Sequence, residues 1–254
     1  MARHLGIPER VLDEVLGNDV RQTWVNNNYA MEGIIHESDG ESHVDSWGIR
    51  WERRYGFNQI VEYPLAGASR EEVLAYRFPY AYLENLMGPM AALAGESEDY
   101  YLGCDVSPSA FEMYWRIRGM EDAIFDFAND TELAASMISK CIDFSIVLAE
   151  ESMRRFSLDW LWTGDDVAAQ DSMIISPELW RDVVKPDLKR LFDVGRKKCI
   201  KVAYHCCGAL RPIIPDLIEI GMDVLNPIQA GCPGMDAAEL KAEYGESIAF
   251  MGGL

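Results

Sequence analysis

Apolar and polar positions follow two regimes along this chain. Over roughly the first hundred residues the pattern is irregular. Ile7 to Leu16 predicts a short helix, with Pro8 near its first turn and Gly17 as its stop. Trp47 to Tyr63 alternates loosely between apolar and polar and breaks at Gly56, which predicts a β-hairpin rich in aromatic and charged side chains, suited to a surface or rim.

From about residue 100 the pattern becomes strand–helix–strand. Tyr100 to Val106 predicts a strand, with Ser107-Pro108 placed to cap and open the helix after it. Leu133, Met137, Cys141, Phe144 and Leu148 recur at helical spacing and predict a long helix from about Thr131 to Phe156. Leu158 to Trp162 predicts a short strand that runs into Thr163-Gly164-Asp165-Asp166. Ser176-Pro177-Glu178 is a helix start, and Pro186 should kink or divide that helix. Lys198 to His205, Asp223 to Pro227 and Ser247 to Met251 predict three further strands. The helices between them carry the stripe Leu210, Ile213, Ile214, Leu217 and Ile218 and the capping pair Asp236 and Glu239, the second helix stopping at Gly245.

Five strands alternating with helices imply parallel βα units, because parallel strands need long crossovers. The polar residues cluster where strands end: Asp165-Asp166, His205-Cys206-Cys207, Asn226 to Gln229, and the terminal glycines. Strand ends that converge on one mouth favour an α/β fold of the (β/α)8 TIM-barrel type over a doubly wound open sheet, and the glycine fingerprint of dinucleotide binding is absent. With 254 residues and no repeat or linker, one domain over 1–254 is expected: an irregular part with the hairpin at 1–99 and βα units at 100–254.

Charge narrows the choice of partner. With 23 Lys+Arg against 42 Asp+Glu the net charge is −19, which argues against nucleic acid and anionic membrane as partners. No run approaches the ~20 apolar residues of a membrane span, and the N-terminus has no signal-peptide core, so a cytoplasmic protein is expected. Six cysteines in such a protein are expected to be free, metal-bound or catalytic.

Chemistry concentrates at Tyr204-His205-Cys206-Cys207-Gly208. On an extended strand end His205 and Cys207 project to the same side, and a nitrogen and a sulfur donor together suit Zn²⁺. Core packing of a histidine beside two small hydrophobes is the competing reading. Cys232, in the following strand-end loop, is a candidate third ligand. Asp165 and Asp166 are candidate catalytic carboxylates: of two adjacent acids, one is expected to face the cavity and the other to cap a helix or meet solvent. Gln170, Asn226 and Gln229 are candidate substrate-binding residues in the same strand-end loops. Tyr114 reads as a packed aromatic with a wet hydroxyl.

With these motifs in hand, the chain resembles the uroporphyrinogen decarboxylase superfamily, and most closely its branch of zinc-dependent, cobamide-linked methyltransferases and related O-demethylation proteins. The resemblance runs from Asp45-Ser46-Trp47-Gly48 through Arg118 to Asp122, Gly164-Asp165-Asp166, Ile175 to Trp180, Tyr204 to Gly208, Asn226 to Gln229 and Gly234-Met235-Asp236 to Gly252-Gly253. It implies a barrel of this superfamily, incomplete at both ends, and a His-x-Cys zinc pair at His205 and Cys207, with Cys232 standing in for a third cysteine. It also implies zinc as cofactor and a corrinoid carried on a partner protein. The expected function is methyl transfer between that corrinoid and a zinc-activated thiol or methyl ether. A small-molecule methyl donor or acceptor completes the expected partners, and a homodimer is compatible with the family. Two rival readings follow. One is a tetrapyrrole carboxy-lyase, for which Tyr114 stands where the decarboxylases place an active-site tyrosine. The other is a non-catalytic remnant that binds a corrinoid or a partner chain.

Overall fold

A computed structural model describes residues 6, 8, 12–26, 36–96 and 99–253. The first helix among the described residues, α1 (Leu12–Leu16), ends at Gly17, whose φ of 66° suits glycine at a helix stop. The earlier part of that expected helix (residues 7 and 9–11) lies outside the described residues, as does His4.

Six parallel strands form the main sheet: β1 (Val20–Trp24), β5 (Tyr101–Asp105), β6 (Trp160–Gly164), β7 (Lys201–His205), β8 (Val224–Asn226) and β9 (Ala249–Phe250), side by side in that order. The five strands expected from the sequence are all there. The sixth, β1 (VRQTW), was not anticipated, because it has too few apolar residues to stand out. Three more strands, β2 (Ser42–Val44), β3 (Arg50–Arg54) and β4 (Phe57–Glu62), make a separate antiparallel sheet. Its β3–β4 connection is the expected hairpin, turning at Tyr55 and Gly56 with both φ positive, as a two-residue hairpin turn requires. The Asp45 carboxylate organises the approach to it, accepting hydrogen bonds from the Trp47 and Ile49 amides and the Trp51 indole at 2.7–2.9 Å.

Among the described residues three short helices, α2 (Arg70–Ala75), α3 (Leu83–Leu86) and α4 (Gly88–Glu96), lie between β4 and β5. The crossovers then carry α5 (Phe111–Arg118), α6 (Met120–Asn129) and α7 (Thr131–Arg155) after β5, α8 (Pro177–Val183) and α9 (Lys185–Lys197) after β6, α10 (Ile214–Ile220) after β7, and α11 (Ala237–Tyr244) after β8. Ser176 caps α8 through its side chain, and Pro186 sits in the first turn of α9, so the expected division of that helix is observed. The opening of α5 differs from expectation: the helix starts at Phe111, beyond Ser107-Pro108, and its cap comes from another strand, as described below.

The outer face of the sheet packs on these helices. The five α7 residues picked out by spacing are all buried, each large apolar one contributing ~1.5–3 kcal/mol. β6 is buried along its whole length, with Leu161 in the helix layer and Trp160 and Trp162 in a second, smaller cluster with Ala203 on the inner face. Gly103 makes room for this inner layer: a Cβ there would lie 1.9 Å from the Trp160 indole nitrogen.

Candidate active site and metal centre

The C-terminal ends of β1, β5, β6 and β7 meet at a cavity of about 260 Å³ lined by Gln22, Trp24, Asp105, Ser107, Pro108, Glu112, Arg116, Trp162, Gly164, Asp166 and His205. This is where βα folds place their chemistry.

Asp165 and Asp166 leave β6 in opposite directions, as neighbours on extended chain do. Asp165 is fully buried and points away from the cavity. Its carboxylate accepts the Phe111 amide at 3.1 Å and the Glu112 amide at 2.5 Å, and so caps α5. Burial pushes its pKa up to about 8, against the pull of those two amides. Asp165, expected as a catalytic carboxylate, thus lies behind the cavity wall and holds α5 in place. Asp166 does line the cavity, and its Oδ1 accepts the Cys207 amide at 2.9 Å.

His205 closes β7. Its Nδ1 lies 2.7 Å from Asn226 Oδ1, while Asn226 Nδ2 donates to the Met251 carbonyl at 3.1 Å. With the amide so oriented, Nδ1 carries the proton and Nε2 presents a lone pair. Nε2 faces Cys207 Sγ at 3.7 Å and Asp166 Oδ1 at 3.8 Å. Asp166, His205 and Cys207 thus offer one oxygen, one nitrogen and one sulfur donor, all within 4.8 Å of one another, the one such trio among the described residues. Two ligands on a tetrahedral zinc, at ~2.0–2.1 Å for nitrogen and ~2.3 Å for sulfur, stand ~3.6 Å apart. The donor types and the spacing about Nε2 would suit such an ion. Burial, then the nearby Asp166 and Glu112 carboxylates and the Cys232 thiol, hold the Cys207 thiol above its ordinary pKa.

The remaining expected residues lie outside the trio. Cys232 is not in the trio; its loop turns back on itself, with the Cys232 amide donating to the Gln229 carbonyl, and the residue packs into the apolar core at 6% exposure. Gln229 Oε1 accepts the Gly208 amide at 2.8 Å and fixes the His205–Gly208 loop. Gln170 sits exposed at the tip of the turn closed by the Ala168–Met173 bridge, outside the cavity. Tyr114 is fully buried among helices, its hydroxyl donating to Asp126 at 2.5 Å beside the Arg118–Asp126 ion pair, so it does not reach the cavity either.

Sequence reasoning missed Asp105. It ends β5 just as His205 ends β7, so the strand-end rule that picked out the other polar residues also applies to it. Only 1% exposed, it accepts the Ser107 amide at 2.8 Å, and burial pushes its pKa up to about 8.

The uroporphyrinogen decarboxylase (URO-D) family profile matches residues 106–254, more than half of the sequence. The chain belongs to the uroporphyrinogen decarboxylase family. The match takes in all four crossovers from β5 to β9 and the whole Asp166–His205–Cys207 trio. No curated protein matches this family member significantly. Among solved structures it resembles a methyltransferase from Methanosarcina mazei, with 15% sequence identity and a TM-score of 0.61 over 86% of this chain and 60% of that one. The chain thus spans 60% of the length of that structure, and at this identity the likeness is one of fold. Among the described residues no helix is long and apolar enough to cross a membrane.

Proposed function

We propose that this URO-D family member is a methyltransferase whose active site is a zinc centre held by Asp166, His205 and Cys207. Its sheet, six parallel strands in sequential order, is read as part of a (β/α)8 barrel. One observation carries the reading: three donors of the right types converge within 4.8 Å at a cavity wall, with Asn226 holding His205 in the tautomer that ligation needs.

When bound there, zinc supplies Lewis-acid chemistry, activating a thiol at neutral pH or polarising a methyl ether. Each of the chain's own residues then has a task. His205 offers Nε2 with its orientation set by Asn226. Cys207, a thiol whose pKa is raised by burial and then by its carboxylate neighbours, would give up its proton on ligation, so metal uptake should release a proton and weaken as pH falls. Asp166 both holds the Cys207 amide and supplies the oxygen donor. Gln229 keeps the ligand loop in place, and Trp162 and Pro108 line the cavity. The methyl group is exchanged with a corrinoid on a partner protein, the transfer chemistry expected from the family resemblance.

The test is a methyl-exchange assay with a corrinoid protein and a panel of thiols and methyl ethers, followed by the corrinoid spectrum. Zinc-loaded protein should exchange methyl, and Cys207→Ala should lower the rate by ~10² or more. Release of CO₂ from uroporphyrinogen without metal would overturn the reading in favour of a decarboxylase.

A further inference from the structure

Trp24, Asp105 and Trp162 are successive register partners on β1, β5 and β6, and all three line the cavity that His205 and Asp166 also line. With neighbouring strands ~4.8 Å apart, the two tryptophans stand ~10 Å apart at the backbone, with a carboxyl between them. Asp105 is 1% exposed. It accepts hydrogen bonds from the Ser107 amide and the Trp24 side chain, yet among the described residues no cationic side chain pairs with it. Arg116, the one guanidinium on the cavity wall, is taken by Glu112 at 2.6 Å. The cavity wall therefore holds, among the described residues, a buried carboxyl without a cationic partner next to two indoles.

A buried carboxyl in this state either keeps a proton or acquires a cation. The kind of cation follows from the walls. A primary ammonium brings three donors that each need an acceptor, which indole faces do not supply. A methylated onium cation has no such donors, and tryptophan faces attract it more strongly than other aromatic rings do. We propose that Trp24, Asp105 and Trp162 form a subsite for a quaternary ammonium ligand of the choline or betaine type. On the methyl-transfer reading, on which this part of the inference rests, that ligand is the methyl donor. Its N–CH₃ bond breaks, the methyl forms a new bond to a corrinoid nucleophile, and the electron pair stays on nitrogen. A neutral tertiary amine leaves, and no proton donor is required.

Titration calorimetry on the full chain tests the subsite without any turnover, using choline, its neutral carbon isostere 3,3-dimethylbutan-1-ol, and benzoate. Choline should bind at least ~10-fold more tightly than the alcohol. Asp105→Asn should remove most of that preference while leaving the alcohol unchanged. Trp24→Leu, at a residue half exposed and so safe for folding, should weaken choline as well. Equal binding of choline and the alcohol, no binding of choline by protein with an intact thermal melt, or a preference for benzoate would each overturn the proposal. Choline binding without methyl exchange would count against the methyltransferase reading alone. Methyl exchange without choline binding would count against the subsite alone.

Discussion

Asn226 makes the most economical contact in the site: one amide oxygen decides which imidazole nitrogen is free. Asn226→Ala should leave the fold intact and lower zinc affinity ~10–100-fold, as removal of such supporting partners does elsewhere, measured by competition with a chromophoric chelator. Asp105 makes a prediction of a different kind. Its folded pKa of about 8 lies far above the ordinary carboxylate value, so the folded state binds its proton more tightly than the unfolded state does. Its stabilising contribution is complete below about pH 4 and is lost as pH rises through about 8. Asp105→Asn, which cannot ionise, should therefore gain on the wild type between pH 5 and pH 9, by ~1 kcal/mol or more, or ~2–4 °C in Tm. A Tm difference independent of pH would mean that Asp105 is not held as the neutral acid. Cys207 and His205 could be picked out from their two-residue spacing. Asp166 was noticed as an acid, but its part in the donor trio depends on how β6 and β7 align, which no local pattern encodes.

Elements in this fold depend on residues far away in sequence. Helix α5 has no cap of its own: its first two amides are met by Asp165, more than fifty positions later. Asp165→Ala should cost ~2–3 kcal/mol, seen in denaturant unfolding, because it leaves two amides without a partner inside the protein. Asp165→Asn, which keeps an acceptor, should cost less. The same long reach explains why the sequence reading put the cap at Ser107-Pro108: the local motif is a good helix start, and the tertiary partner overrides it. At Gly103 the constraint is space. Gly103→Ala should destabilise by ~1–3 kcal/mol, since the Trp160 indole would have to move. Where local signals were strong and uncontested, the elements agree with expectation: the hairpin at Tyr55-Gly56, the Ser176 cap and the long α7 stripe. β1 escaped because only its pairing with β5 makes VRQTW a strand.

For the whole molecule, the parallel order β1–β5–β6–β7–β8–β9 brings the ends of separate strands, far apart in sequence, to one cavity. The general location of the site at strand ends was thus legible from the βα rhythm. Its membership was not, because loops fold independently: Cys232 turns into the core, Gln170 turns outward, and Asp105 and Trp24 complete the wall. The central claim is that Asp166, His205 and Cys207 form a metal centre and Cys232 does not. Metal content by mass spectrometry, on protein purified under reducing conditions, tests it most directly. The wild type and Cys232→Ala should each hold about one zinc per chain, while His205→Ala, Cys207→Ala and Asp166→Ala should each lose it. No metal in the wild type, or metal kept without Asp166 and lost without Cys232, would contradict the claim.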